Sequence, residues 1–213
     1  MRSKKVIWGL LAFCGASFIG QLIIYPRLPE QVPVHWNAYN EIDGWAGKGS
    51  ALLMGLLPLL MLLLFIAVPK IDPKKENFVK HAGVYQMFAA LMTVFMGGVS
   101  WMTPVSALGI ALPVGLLLNL LLGLVFVVLG NQMPRIRFNY TFGIRTPWTL
   151  ASETVWKKTH RLCGFVFVLS GLVMMVSGFF TGWAAMVGVI LLLIGCAAGS
   201  VYSWWLYEKE QKG

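Results

Sequence analysis

Six runs of almost uninterrupted apolar residues recur along the whole chain, the first being VIWGLLAFCGASFIGQLIIY from Val6 to Tyr25. A bilayer core about 30 Å thick takes roughly 20 apolar residues of α-helix to cross. Lipid offers the backbone no hydrogen-bond partners, so a spanning segment must satisfy its own amides as a helix or close into a barrel. Barrel strands alternate apolar and polar residues, and these runs do not. The expectation is an all-α, polytopic integral membrane protein with six transmembrane helices, at about 6–25, 51–68, 83–102, 108–129, 162–180 and 184–206. Six spans and their connections nearly use up 213 residues, so no sizeable soluble domain fits. A hydrophobic content of 58% agrees, against about 45–50% in soluble domains. Val6–Tyr25 is longer than a signal-peptide apolar core and lacks a small-x-small site before Pro26, so it reads as a retained first helix.

Charge orients the bundle. With a cytoplasmic N-terminus, fifteen of the seventeen basic residues fall in cytoplasmic segments, leaving Arg27 and Lys48 outside. The positive-inside rule therefore predicts that both termini are cytoplasmic. The formal net charge of +9 is read as topogenic and as attraction to membrane lipids, specifically the anionic inner leaflet. Because it is divided among short loops, it forms no nucleic-acid surface. Two units are expected. Residues 1–70 form a two-helix membrane domain with an external loop at 26–50. Residues 71–213 form a four-helix membrane domain with a cytoplasmic motif loop at 130–161.

Small residues mark expected helix contacts: Ala12, Ala16 and Gly20 on the first helix, and Gly115, Asn119 and Gly123 on the fourth. Gly164, Gly171 and Gly178 recur on the fifth, and Gly188, Gly195 and Gly199 on the sixth. Such stripes let helix backbones approach where no hydrophobic force drives association. Cys14, Cys163 and Cys196 lie within apolar runs at unpaired spacings and read as packing residues. Trp101, Trp183, Trp204 and Trp205 stand near helix ends, as interfacial anchors do.

The spans hold almost no ionisable residue. Asn119, expected to bond between helices, Gln86, and His81 near an inner edge are the polar exceptions. Ion-coupled transporters place charge at mid-membrane, so transport is disfavoured. No nucleotide loop or metalloprotease or hydrolase motif occurs. Chemistry is left to two loops. In the external one, Pro26, Pro29 and Pro33 bar a regular helix, and Asp43-Gly44 is a turn signal. His35, Glu41 and Asp43 could in principle hold a metal, but a surface loop anchored by Trp36 and Trp45 is the stronger reading. In the other loop, FGIRTPWTLASETVWKKTHR (142–161), Thr146-Pro147 looks like a helix start. Glu153, Trp156 and His160 would then share one face, and Glu153 would pair with Lys157. The expected form is a short helix along the inner surface, its tryptophans at headgroup depth. Arg145 would bridge to Glu153 or to carbonyls at helix ends.

GNQM (130–133) followed by FGIRTPWTLASETVWKKTHRLCG (142–164) resembles the signature of the SdpI family of bacterial immunity proteins. LPEQVPVHWNAYNEIDGWAGK resembles the small domain of unknown function that often precedes it. The matching inner residues include Asn131, Gly143, Arg145, Thr146, Pro147, Trp148, Thr149, Leu150, Glu153, Thr154, Val155 and Trp156. The matching outer ones are Pro29, Pro33 and Trp36. The resemblance implies a multi-pass protein of the bacterial inner membrane, without cofactor or catalysis, that protects its cell from a secreted peptide toxin. It also implies signal transduction by holding a cytoplasmic transcriptional repressor at the membrane. The residues alone leave two other readings open. One is a membrane enzyme or lipid-binding protein using Arg145, Glu153 and His160 at the inner leaflet; the other is a small transporter.

Overall fold

The computed structural model describes the backbone of residues 3–71, 75–140 and 142–212, and the side chains of 3–70, 82–140 and 142–212. His81 and the basic side chains of Arg2, Lys74, Lys75 and Lys80 lie outside the described residues. The chain folds as α1 (Lys4–Ile24), β1 (Gln31–Trp36), β2 (Ile42–Gly47), α2 (Gly49–Gly55), α3 (Leu57–Ile71), α4 (Lys75–Ala107), α5 (Val114–Gln132), α6 (Pro147–Ala151), α7 (Glu153–Ser177) and α8 (Val187–Lys212). Among the described residues six stretches are long and apolar enough to span a membrane: Lys4–Arg27, Gly49–Lys70, Ala82–Ala107, Val114–Arg135, Glu153–Ser177 and Gly182–Lys212. The protein is a mostly helical, multi-pass membrane protein. Successive spans alternate direction, so the β1–β2 hairpin lies at one end of the bundle and the 133–152 segment at the other.

Several boundaries differ from expectation. The fifth span begins at Glu153 rather than 162, and the fourth at Val114 rather than 108. The third continues through Pro104 to Ala107. Proline has no N–H, so Pro104 leaves the carbonyl of Ser100 without its helical donor. Gln21 supplies a substitute: its Nε2 lies 3.4 Å from that carbonyl and donates to Ser100 Oγ at 3.1 Å. This buried amide between α1 and α4 was not among the expected polar exceptions, although a lone glutamine in an apolar run is a signal for it. Trp101 is no free anchor either, for its Nε1 donates to Ser17 Oγ at 2.8 Å. The buried side of α1 is Leu10, Cys14, Ser17 and Gln21. Ala12 and Ala16 face outward, correcting the expected small-residue stripe there.

The C-terminal helices pack as their glycines suggest, with a shift of register. An added Cβ on Gly123 would lie 2.6 Å from the carbonyl oxygen of Gly171, and one on Gly130 would lie 2.5 Å from that of Gly164. The α5 and α7 backbones therefore touch, and any side chain at these four positions would push them apart. The working pair on α5 is Gly123 and Gly130, while Gly115 serves the hairpin end. On the other side of α7, Gly188 meets the Met174 backbone, Gly195 meets Val166 and Gly199 meets Cys163 Sγ. Asn119 bonds within its own helix, to the Gly115 carbonyl at 3.0 Å, rather than between helices. Gln86 Oε1 accepts from the N–H of Ser3 at 3.0 Å. The three cysteines are unpaired; Cys14 and Cys163 are buried and Cys196 is exposed.

Candidate functional site

The end holding residues 133–161 is built around two helix caps. Thr146 caps α6 reciprocally: its Oγ1 accepts from the Thr149 N–H at 3.1 Å, and Thr149 Oγ1 accepts from the Thr146 N–H at 2.9 Å. Pro147 occupies the first helical position, where a missing N–H costs nothing. Thr146 Oγ1 also meets Ser203 Oγ at 2.9 Å, tying the cap to α8. The sequence thus located the helix start but not its end. Ser152 caps a second helix by accepting from the Val155 N–H at 3.3 Å, so α7 begins inside the motif and carries its second half into the bundle.

That continuation decides where the aromatic residues go. Trp156 is fully buried, with Met133 and Ile136. Its Nε1 donates to the Ile136 carbonyl at 2.8 Å. The Phe138 ring meets it edge-on at 5.4 Å, and His160 stacks on it at 4.0 Å. His160 is 1% exposed. Its Nε2 accepts from the Ile144 N–H at 3.1 Å, which places the ring proton on Nδ1, 2.9 Å from the Trp156 carbonyl it donates to. Gly143 sits at φ +111°, and a Cβ there would lie 2.5 Å from His160 Nε2. Only glycine suits both that backbone and that neighbour. Asn139, which nothing in the sequence singled out, is buried and closes the preceding turn: it donates to the Arg137 carbonyl at 2.9 Å and accepts from the Phe142 N–H at 2.8 Å.

Three expectations fail here. Trp156 and His160 face the core while the Glu153 side chain stays 70% exposed, so the three do not share a surface. Trp156 is not a headgroup anchor. Arg145 donates to the Tyr140 carbonyl at 2.8 Å and not to Glu153, whereas the expected ion pair of Glu153 with Lys157 is present at 4.0 Å. With both His160 nitrogens committed to backbone, an acid–base couple with Glu153 is not assembled. Asn131, Arg145, Pro147 and Glu153 are exposed, and Trp148 is half-buried.

The opposite end is a two-stranded antiparallel hairpin with Val32 opposite Ala46, Pro33 opposite Trp45, His35 opposite Gly44 and Trp36 opposite Ile42. Pro33 is tolerated because a two-stranded ribbon has an open edge for the residue lacking an N–H. Asp43-Gly44, the expected turn, lies within β2. The turn is Asn37–Glu41, where Asn37 Oδ1 accepts from the N–H of Tyr39 (2.9 Å) and Glu41 (3.0 Å) and Asn40 takes φ +65°. His35 Nδ1 and Asp43 Oδ1 are 2.5 Å apart, both exposed. Glu41 turns away to accept from Asn37 Nδ2 at 2.8 Å. Among the described residues no three His, Cys, Asp or Glu side chains gather as a metal site. Glu30 and Lys48 pair at 2.6 Å, which raises the lysine pKa. Trp45 is 58% exposed, Pro29 is exposed, and Trp36 is half-buried.

The hairpin tip is fastened to the rest of the protein. Asn40 Nδ2 donates to the Leu112 carbonyl at 3.1 Å, and its Oδ1 accepts from the Gly115 N–H at 2.9 Å. The Pro113 cap of α5 has no side-chain bond of its own, so Asn40 serves a first-turn donor of that helix from a distant part of the chain. The Gly182 N–H donates to the Ala38 carbonyl at 2.7 Å. Both connections at this end, α4–α5 and α7–α8, therefore hang on the tip.

A bundle of six apolar helices, a polar hairpin gripping loops at one end and a buried Trp–His motif at the other define a small multi-pass protein without a recognisable catalytic centre among the described residues. Residues 135–203 match the SdpI/YfhL protein family, and residues 12–62 match a domain of unknown function, DUF1648. It is 28% identical over 207 residues to Immunity protein SdpI of Bacillus subtilis (strain 168), covering 97% of each chain. It is also 37% identical over 59 residues to Uncharacterized membrane protein YbgB of the same organism, covering 28% of this chain and 59% of that one. No solved structure matches.

Proposed function

We propose that this protein confers immunity to a secreted antimicrobial peptide in a bacterial inner membrane, as a binding and signalling protein without turnover. Similarity to an immunity protein along nearly the whole chain carries this reading. The basic residues set the orientation: hairpin outside, motif and both termini in the cytoplasm. An amphipathic peptide partitions to the membrane surface, where His35, Trp36, Asp43 and Trp45 stand beside the bundle. Residues 1–70 then act as the unit that meets toxin, and 71–213 as the unit that responds. Displacement of the hairpin tip pulls on Leu112, Gly115 and Gly182, and the glycine-packed α5 and α7 carry the movement to the motif. There Asn131, Arg145, Trp148 and Glu153 offer a surface to a cytoplasmic repressor, while Gly143, Trp156 and His160 keep that surface in shape.

Survival decides it. Sensitive bacteria expressing the protein are exposed to peptides secreted by the source organism, beside cells carrying an empty vector. Protection that falls with Trp45→Ala at matched membrane levels supports the reading. Equal killing with and without the protein, across those peptides, sinks it.

A further inference from the structure

At the motif end an apolar cavity of about 200 Å³ opens between α4, the end of α5 and the segment leading to α6. Met87 and Phe88 line it from α4, Leu129 and Gln132 from α5, and Phe142 and Gly143 from the motif. Among the described residues Gln132 is the one polar side chain in that wall. A buried water needs two to four polar partners, whereas dry apolar cavities of about 150 Å³ take up small hydrocarbons. The space suits hydrocarbon rather than water.

Two arginines adjoin this wall in the chain. Ile136 forms part of the wall, and the exposed Arg135 and Arg137 are its neighbours in sequence. Arg135 Nη1 donates to Gln132 Oε1 at 3.2 Å, which holds that guanidinium beside the cavity. Among the described residues neither arginine pairs with a carboxylate. Hydrocarbon space next to two unneutralised guanidiniums, at the end of membrane-spanning helices, matches one molecule that every membrane supplies. We propose that the cavity takes an acyl chain of an anionic phospholipid, whose phosphate is held by Arg135 and Arg137. Gly143, buttressed by His160, belongs to the wall, so a seated chain braces the motif directly. This holds whether or not the protein meets a toxin.

Native mass spectrometry of the full chain tests it. The protein is taken from vesicles of phosphatidylcholine mixed with an equal part of phosphatidylglycerol, and retained lipid is weighed. The wild type should keep one phosphatidylglycerol in preference to phosphatidylcholine. Replacing both arginines (Arg135→Gln with Arg137→Gln) should reduce that preference about tenfold to thirtyfold, by the loss of two surface cations. Val84→Phe, which fills the cavity from α4, should remove the retained lipid while near-UV circular dichroism stays that of the wild type. Should Val84→Phe misfold, the surface arginine variant still decides. Equal retention of the two lipids by the wild type, or unchanged preference in the arginine variant, overturns the proposal. A wild type that keeps no lipid also overturns it and leaves the cavity to a protein side chain.

Discussion

The hairpin and the motif each set a histidine near a tryptophan among charged residues, and the protein uses the two pairs in opposite ways. At the hairpin, the His35 side chain is 70% exposed and its partner is the exposed Asp43 carboxylate. At the motif, His160 is 1% exposed and its partners are two backbone groups and the Trp156 ring. The neighbouring stretches of chain make the difference. After Trp36 comes a turn that must remain in water; after Ser152 comes a spanning helix that draws its first two turns into the bundle. A distinctive residue at the motif therefore holds shape, and one at the hairpin is free to meet something else.

The contrast is most easily broken at the indoles. Trp156→Ala removes a fully buried ring and the donor to Ile136, and should cost about 3–5 kcal/mol. Trp45→Ala, at an exposed position, should stay within about 0.5 kcal/mol. Unfolding of the purified protein in detergent measures both, and similar losses would end the distinction between framework and contact. Glycines give the next largest gap. Gly143→Ala places a Cβ against His160 on a left-handed backbone and should cost about 1–3 kcal/mol. Gly47→Ala in the hairpin meets nothing within 4 Å and should be nearly neutral on the same measurement.

Asn40 sharpens the comparison, because it is the hairpin residue that behaves like a motif residue. Asn40→Ala loses a helix-capping acceptor and a bond to Leu112, worth about 1 kcal/mol. The loss should be local. Hydrogen exchange at the amides of Gly115 and Gly182 should quicken while that of Ile144 does not change. Faster exchange at Ile144 as well would mean that loosening the tip, and not only displacing it, reaches the motif.

Spans and cap signals were legible because each depends on residues close in sequence: apolar length for the helices, Thr146-Pro147 for α6. What escaped depends on partners far along the chain. Nothing near Gln21 points to a carbonyl freed by Pro104. Nothing near Trp156 announces Ile136, and the amphipathic pattern of Glu153, Trp156 and His160 holds only for a helix lying on the surface. The hairpin was hidden by its prolines. They do bar a helix, but a two-stranded ribbon tolerates them at its edge, and the turn was set by Asn37 and Asn40 instead of Asp43-Gly44.

The smallest effect on stability should come from the residues that the proposed function uses most. His35 and Asp43 form an exposed pair, and exposed pairs contribute about 0–1 kcal/mol because water and salt screen them. Asp43→Asn and His35→Ala should therefore leave the unfolding midpoint and the membrane level almost unchanged. If the hairpin is the surface that meets a peptide, the same two variants should nonetheless lower the survival of toxin-exposed cells. A framework residue would not separate in this way, since Trp156→Ala lowers stability and protection together. Measuring folded protein and survival in the same cultures distinguishes the cases. Full protection by Asp43→Asn and His35→Ala would remove this pair from the contact surface. A marked loss of folded protein in either would show that the hairpin, like the motif, is framework.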